Sequence, residues 1–219
     1  GHGTHFTMLA AQRACGGKTI VLMNPGLPRP CFDLCLIPEH DGVREGHNVL
    51  LTKGAINGIQ PSHELRPNAG LILLGGISAH YRWDGRDVVE QARMLASKRS
   101  DVNWRLTTSP RTPDGTLGLL REALPGNVEI IPFKEAPLDW LPGQLRQAGQ
   151  VWVTPDSVSM LYEALTAGAA VGIFDLERTG NGRVARGVEQ LLEEGKVLGF
   201  ARWKAGQSLS VPQQEFNEA

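Results

Sequence analysis

The sequence has no long hydrophobic run, few cysteines and almost no net charge. No segment reaches the roughly 18 apolar residues that a membrane-spanning helix requires, and the first residues lack the pattern of a signal peptide. The net charge of −1 gives no sign of a nucleic-acid partner. Cys15, Cys31 and Cys35 are an odd number without the clustering of a metal site. We therefore expect reduced thiols and a cytoplasmic protein.

Several catalytic motifs are also missing. No G-x-G-x-x-G sequence follows a predicted strand, which disfavours a nicotinamide-binding site. The lysine motif of P-loop nucleotide hydrolases and the G-x-S-x-G motif of serine hydrolases do not occur. The six histidines have no metal-site spacing, because His2 and His5 lie three residues apart without a neighbouring carboxylate. We expect no metal ion and no permanently bound cofactor.

The first part of the chain contains short apolar strands. A helix over 6–14 precedes predicted strands at 18–23, 32–37 and 48–52. Apolar strands without alternation are typical of a parallel sheet that is covered on both faces. We expect residues 1–62 to be the C-terminal part of a Rossmann-like domain that is incomplete at its N-terminus.

A second α/β series follows a predicted linker at 60–69, which contains Pro61 and Pro67. Strands alternate there with helices, as in a complete doubly wound domain. The predicted strands are 71–74, 104–108, 128–132, 151–153 and 170–174, and the predicted helices include 84–98, 114–123, 139–147 and 183–194. The fold class is therefore α/β, with two Rossmann-like parallel-sheet domains and the second over 63–219.

The stretch 151–168 combines a buried strand, a tight turn and a helix. Asp156 or Ser157 can cap the helix, and Asp156, Ser159 and Glu163 are spaced to share one outward face. The N-terminus of a helix attracts phosphate. Glu163 lies about 11 Å further along, where its carboxylate could accept hydrogen bonds from ribose. The alternative is a capped helix with a solvated glutamate.

Other strand ends of the second domain carry similar chemistry. Ligands of open α/β sheets bind at the carboxyl ends of the strands. The glycines there allow close approach of an anion, while hydroxyl, imidazole and guanidinium groups can donate to it. Structural turns and solvated arginines are the alternative. The candidates are Gly75, Gly76, Ser78, His80, Ser109, Arg111 and Arg183.

Several segments of the chain together form a set of long motifs. They are Gly3 with Phe6, 18–23, 32–41, 73–80, 107–113 and 153–164. These segments resemble the mitochondrial fission (Elm-type) family over nearly the whole chain. Plant members give that family its name, and many bacterial members are labelled predicted nucleoside-diphosphate-sugar epimerases. We expect a bacterial member. The absence of a nicotinamide fingerprint and of a Tyr-x-x-x-Lys pair disfavours epimerase activity.

The family is distantly similar to two-domain (GT-B) glycosyltransferases, such as the peptidoglycan lipid-linked N-acetylglucosaminyltransferase. The resemblance implies that Glu163 binds the ribose of a UDP-type sugar nucleotide, and that Ser157 and Ser159 line its diphosphate. The resemblance also places Gly75, Gly76 and Ser78 in a loop that faces this diphosphate site. It also places the opening histidines His2 and His5 on the acceptor side, where His40, at a predicted strand end, is a further candidate.

Two functions remain open at this point. One is a metal-independent glycosyltransferase or a fragment of one, with an acceptor that is lipid-linked or lies at a membrane surface. A peripheral position at the membrane would then accompany the cytoplasmic location. The other is a noncatalytic partner-binding protein on the same fold, because fold alone does not determine function. No catalytic residue is assigned in either case.

Overall fold

The computed structural model describes residues 2–180 and 182–211. The chain divides between Asn57 and Gly58 into two compact units, close to the boundary at residue 62 that the sequence predicts. Each unit contains a parallel sheet, in agreement with the predicted fold class. Within the described residues, no helix is both long and apolar enough to cross a membrane.

The first unit contains one α-helix and a three-stranded parallel sheet in the order β1-β2-β3. Its buried hydrophobic side chains come from the strands and from the loop before β2, with Cys35 and Ile37 fully buried. Three single 3₁₀ turns complete the unit. Its elements are α1 (His5–Cys15), β1 (Ile20–Val21), β2 (Leu34–Pro38), β3 (Val49–Thr52), and the 3₁₀ turns His2–Thr4, Arg29–Cys31 and Glu39–Asp41.

The second unit alternates strands with helices. Its strands are β4 (Arg66–Leu73), β5 (Tyr81–Arg82), β6 (Asn103–Thr107), β7 (Val128–Ile131), β8 (Ala148–Val153), β9 (Ala170–Ile173), β10 (Glu177–Arg178) and β11 (Leu198–Gly199). Its helices are α2 (Gly85–Lys98), α3 (Asp114–Ala123), α4 (Trp140–Leu145), α5 (Val158–Thr166), α6 (Arg183–Glu193) and α7 (Phe200–Lys204).

Six of these strands form one parallel sheet in the order β11-β9-β8-β4-β6-β7. Counted along the chain from β4, this is the order 3-2-1-4-5-6 of a doubly wound Rossmann sheet. The chain starts at the centre, proceeds to β7, and returns to β8 on the other side of β4. The reversal creates a crevice between the carboxyl ends of β4 and β8, which is the usual ligand position in such sheets.

Aromatic packing anchors the side of the sheet that carries β8 and β9. The Trp152 ring on β8 is fully buried and lies 5.5 Å from Phe174, 5.8 Å from Phe200 and 5.4 Å from Trp203, measured between ring centroids. Gly172 on the neighbouring strand leaves space for the indole, since a Cβ there would overlap it. Phe200 and Trp203, which belong to α7, therefore hold that short helix against the sheet.

Some sequence expectations for the second unit were wrong. The linker predicted over 60–69 ends earlier, because β4 begins at Arg66 and its exposed, polar first half pairs with β6 and β8. A register shift between Arg66 and Gly70 accommodates this end of the strand, which includes Pro67. The helix predicted over 139–147 is only the six-residue α4. The strands β5, β10 and β11 and the helix α7 had not been predicted.

Candidate functional site

The crevice at the strand reversal is bounded by the loop after β4 and the turn after β8. Two hydrogen bonds join these segments. The backbone N–H of Gly75 donates to Oγ1 of Thr154 at 2.7 Å, and the N–H of Gly76 donates to Oδ2 of Asp156 at 2.9 Å. Both glycines are buried. The carboxyl ends of β4 and β8 are thus held together by side chains of the turn 154–157.

Arg111, in the loop after β6, joins the same cluster. Its Nη1 lies 2.8 Å from Oδ2 of Asp156, and it also donates to the carbonyl oxygen of Ile77 at 3.3 Å. The Asp156 side chain is fully buried, whereas the Arg111 side chain is 42% exposed. A buried carboxylate therefore neutralises one face of a guanidinium whose other atoms remain accessible.

Contacts within the protein explain why glycine occupies positions 75 and 76. A Cβ at Gly75 would overlap the Asp156 carboxylate, and a Cβ at Gly76 would overlap the backbone carbonyl of Arg111. Ser109 adds a further tie, since its hydroxyl donates to the carbonyl oxygen of Gly75 at 2.7 Å. Thr112 donates to the same carbonyl oxygen. The anion that approaches these glycines is the protein's own Asp156.

Asp156 does not lie where the helical spacing predicts. The helix α5 begins only at Val158, so Asp156 precedes it and its side chain is directed at the loops after β4 and β6. The expectation that Asp156 shares an outward face with Ser159 and Glu163 was therefore wrong. Tertiary contacts override the local periodicity, because the turn places Asp156 beside the Gly76 amide and Arg111.

The N-terminus of α5 has no side-chain cap. Ser157 occupies the N-cap position, but its side chain makes no capping hydrogen bond and the residue is largely buried. The first turn of a helix leaves backbone N–H groups without intrahelical partners, and these favour an anion. At the other end of the helix, Gly168 has φ +87°, as expected for a residue that follows a helix.

Ser159 and Glu163 lie one helical turn apart on the less buried side of α5. Ser159 is exposed and Glu163 is half-buried. Burial raises the pKa of the Glu163 carboxyl above its ordinary value. Within residues 2–180 and 182–211, the Glu163 side chain has no hydrogen-bond or ion-pair partner. A half-buried carboxylate of this kind is suited to accept hydrogen bonds from a ligand.

Two predicted residues, Ser78 and His80, lie in the loop that leads into β5. The Ser78 hydroxyl accepts hydrogen bonds from the N–H groups of His80 at 3.3 Å and Tyr81 at 3.1 Å. The His80 imidazole packs on Gly182, where a Cβ would overlap it. Arg183 follows at the exposed start of α6. The loop after β4 and the start of α6 are therefore neighbours.

The acceptor-side candidates all lie in the first unit. The His5 ring is buried and packs edge-on against Phe32 with centroids 5.4 Å apart. His40 is half-buried in the 3₁₀ turn after β2. His2 begins the chain's first 3₁₀ turn, and its side chain lies outside the described residues. Their acceptor-side role stays a prediction.

One side chain of the site and one beside it were not predicted from the sequence. Thr154 Oγ1 accepts the hydrogen bond from the Gly75 amide. Tyr81, in the neighbouring pair β5–β10, is 7% exposed, and burial is the main cause that raises its pKa to about 12. Only the position of Thr154 at a strand end could have indicated its role. Among the described residues, no three histidine, cysteine or acidic side chains are grouped as a metal ion would require.

A comparison with known protein families matches residues 1–219 to the family described as mitochondrial fission ELM1. The chain belongs to the mitochondrial fission ELM1 family. This confirms the resemblance that the sequence motifs carry. A search among curated proteins finds no significant match.

Solved structures with a similar fold include two transferases and a decarboxylase. The spinosyn forosaminyltransferase has 13% identity and a TM-score of 0.46, over 77% of this chain and 41% of that one. The kitacinnamycin glycotransferase has 16% identity and a TM-score of 0.48, over 93% of this chain and 52% of that one. The cypemycin decarboxylase has 16% identity and a TM-score of 0.39, over 65% of this chain and 85% of that one.

The chain thus spans about half the length or less of the two transferases that it matches. At TM-scores below one half, these similarities support no statement about activity. The family membership and the geometry of the second unit are the findings on which a function can be proposed.

Proposed function

We propose that the second unit binds a nucleoside diphosphate sugar of the UDP type in the crevice between β4 and β8. The observation that carries this proposal is the position of the uncapped N-terminus of α5, which lies at the point where the strand order of the sheet reverses. Ligands of doubly wound sheets bind at this point, and helix N-termini there bind phosphate.

The diphosphate is assigned to the first turn of α5 and to Arg111. Backbone N–H groups and the helix dipole favour a negative charge at that turn, and Ser157 and Ser159 provide hydroxyl groups beside it. The Gly76 N–H already donates to Asp156, so Gly75 and Gly76 serve to seat that carboxylate rather than the ligand. Asp156 in turn orients the partly exposed Arg111 guanidinium.

The ribose is assigned to Glu163. Its carboxylate lacks a partner among the described residues and lies five residues beyond the start of α5, about 8 Å along the helix axis. A carboxylate accepts hydrogen bonds from both hydroxyls of a ribose, and such charge-assisted bonds are stronger than neutral ones. The spacing suits a nucleotide whose phosphates lie at the helix N-terminus.

Within this proposal the protein is a metal-independent glycosyltransferase or part of one. Positioning by Arg111 and by helix amides would supply the charge neutralisation that the leaving diphosphate requires. The acceptor and the catalytic base are not assigned.

One observation favours the alternative, a noncatalytic partner-binding protein. Several groups that could hold a phosphate, including the Gly76 amide and the Ser109 hydroxyl, are already bonded within the protein. If the remaining donors are too few to bind a nucleotide, the same cluster is a structural tie between strand ends.

Calorimetric titration with UDP and with UDP-sugars separates these functions. We expect wild type to bind, and Glu163→Gln to bind at least tenfold more weakly, since hydrogen bonds to charged groups contribute about 1.5–3 kcal/mol. Glu122→Gln changes an exposed glutamate on α3 and should leave the affinity unchanged. The absence of binding for every nucleoside diphosphate tested would rule out the donor site. Release of UDP from a bound UDP-sugar would favour the enzyme.

A further inference from the structure

A second cavity opens at the carboxyl edge of β8 and β9, apart from the Glu163 face of α5. Its volume is about 220 Å³. The cavity lies between the pair β5–β10 on one side and α6 on the other, with Pro155 and Phe174 at the strand ends. It lies at the carboxyl edge of the sheet, where ligands of such folds bind, so the chemistry of its walls indicates which ligand it would accept.

The walls of the cavity are mostly apolar. They include Phe174, Leu176, Ala185, Val188 and Leu192. Phe174 packs against Trp152 in the core, so this wall is fixed in place. For comparison, an apolar cavity of about 150 Å³ is large enough to hold benzene. The present cavity can therefore hold a six-membered ring together with a small substituent.

Tyr81 contributes a hydroxyl to the cavity, and the charged residues Asp175, Arg178 and Glu189 lie at its rim. The residue is 7% exposed, and its hydroxyl does not belong to the buried polar atoms that lack a partner in the described part of the chain. Burial raises the pKa of Tyr81 to about 12, with further contributions from the charges of Asp156 and Glu189. The phenol is therefore neutral and can donate a hydrogen bond. The hydroxyl is open to the cavity rather than enclosed, so an acceptor on a bound ligand can take this hydrogen bond.

The charged groups at the rim do not favour a charged ligand. Arg178 and Glu189 neutralise each other through an ion pair of 3.0 Å. Asp175 is exposed at the rim, and partial burial raises the pKa of its carboxyl. Its charge disfavours an anion, and a neutral group with one acceptor matches the mostly apolar walls and the Tyr81 hydroxyl.

We propose that this cavity binds a neutral monocyclic aromatic group that carries a hydrogen-bond acceptor, with Tyr81 as the donor. Aromatic rings on two walls, those of Tyr81 and Phe174, favour a flat ring through edge and stacking contacts. The site is separate from the proposed nucleotide site, because Pro155 lines the cavity while the next residue, Asp156, is directed at the β4 loop. The inference does not depend on nucleotide binding.

Benzamide is a suitable probe, since it combines a ring with a neutral carbonyl acceptor. We expect millimolar binding, followed by the methyl NMR signals of Ile173 and Val188 at the cavity wall. Tyr81→Phe should weaken benzamide binding three- to tenfold and leave the affinity for toluene unchanged, because only benzamide uses the hydroxyl. Tyr162→Phe removes the same atom from α5 and serves as the matched control.

Ala185→Leu fills part of the cavity and should abolish the binding of both probes. Thermal unfolding by circular dichroism shows whether this variant is folded, and Tyr81→Phe tests the inference if it is not. The inference is overturned if wild type binds neither probe, if the shifted methyl signals lie elsewhere, or if Tyr81→Phe binds benzamide as tightly as wild type.

Discussion

Arg111 and Asp156 form an ion pair of 2.8 Å that connects the loop after β6 to the turn after β8. The Gly76 N–H donates to the same carboxylate oxygen, so the pair also holds the loop after β4. Three neighbouring strand ends of the sheet thus meet at one buried carboxylate. Removing the charge of this carboxylate should therefore destabilise the edge of the sheet at which all three strands end.

We expect Asp156→Asn to lower the free energy of unfolding by about 1–3 kcal/mol. The substitution leaves the Arg111 guanidinium without its counter-charge and weakens the bond from Gly76. Urea unfolding followed by tryptophan fluorescence measures the change. Asp139→Asn alters an exposed aspartate on the same unit and should cost little. Equal stabilities of the two variants would contradict a structural role of the buried pair.

Gly75→Ala should destabilise the second unit by about 1–3 kcal/mol, because the new Cβ would overlap the Asp156 carboxylate. Gly118→Ala is the matched control. Gly118 lies within α3 with open space around it, so alanine there should stabilise the helix by about 0.4–1 kcal/mol. The two changes should shift the urea midpoint in opposite directions. A shift in the same direction would contradict the close contact between Gly75 and the Asp156 carboxylate.

Much of this architecture could be predicted from the sequence. Alternating apolar runs and helical periodicity indicate the α/β class, and they locate α3 over its full extent at 114–123. The strand–turn–helix at 151–168 was also predicted, since each of its signals is local. The strand order was not predicted, because it depends on pairing between distant segments such as β4 and β8.

The contacts at the site could not be predicted from local patterns. The helical spacing of Asp156, Ser159 and Glu163 indicates one shared face, but Asp156 lies before the helix and bonds to partners 80 and 45 residues away in sequence. The buried position of Tyr81 arises from the short pair β5–β10, whose strands are about a hundred residues apart. Both contacts join residues that are far apart in the sequence, so no local sequence pattern indicates them.

In the first unit, Asp33 is predicted to stabilise the fold at neutral pH. Hydrogen bonds from the Thr19 backbone and from Lys18 lower the pKa of its carboxyl from 3.8 to about 2. A lowered folded-state pKa contributes stability above the unfolded value, and this contribution is lost as the pH falls from 3.8 towards about 2. Asp33→Asn should therefore reduce stability at neutral pH and have a smaller effect in acid.

Urea unfolding of wild type and Asp33→Asn, followed by far-ultraviolet circular dichroism across this pH range, measures the difference. Lys18→Met removes only one of the donors, on an exposed side chain, and should have the smaller effect of the two. A constant difference between wild type and Asp33→Asn at all pH values would contradict the lowered pKa.

The three cysteines should differ in reactivity. Cys15 and Cys31 are exposed, whereas Cys35 is fully buried on β2 and burial raises the pKa of its thiol. A thiol reagent such as dithionitrobenzoate should therefore modify two thiols rapidly in the native protein and the third only in denaturant. In Cys15→Ser, only one thiol should react rapidly. Rapid modification of all three thiols in the native protein would show that β2 is not buried as described.

The position of the nucleotide site can be tested most directly by amide NMR spectra recorded during a titration with UDP. Our account predicts that the largest shifts fall on residues 157–160 at the start of α5 and on Glu163, with no change at Gly195 after α6. Shifts confined to other parts of the protein, or no shifts at saturating UDP, would contradict the proposal that this crevice binds a nucleoside diphosphate.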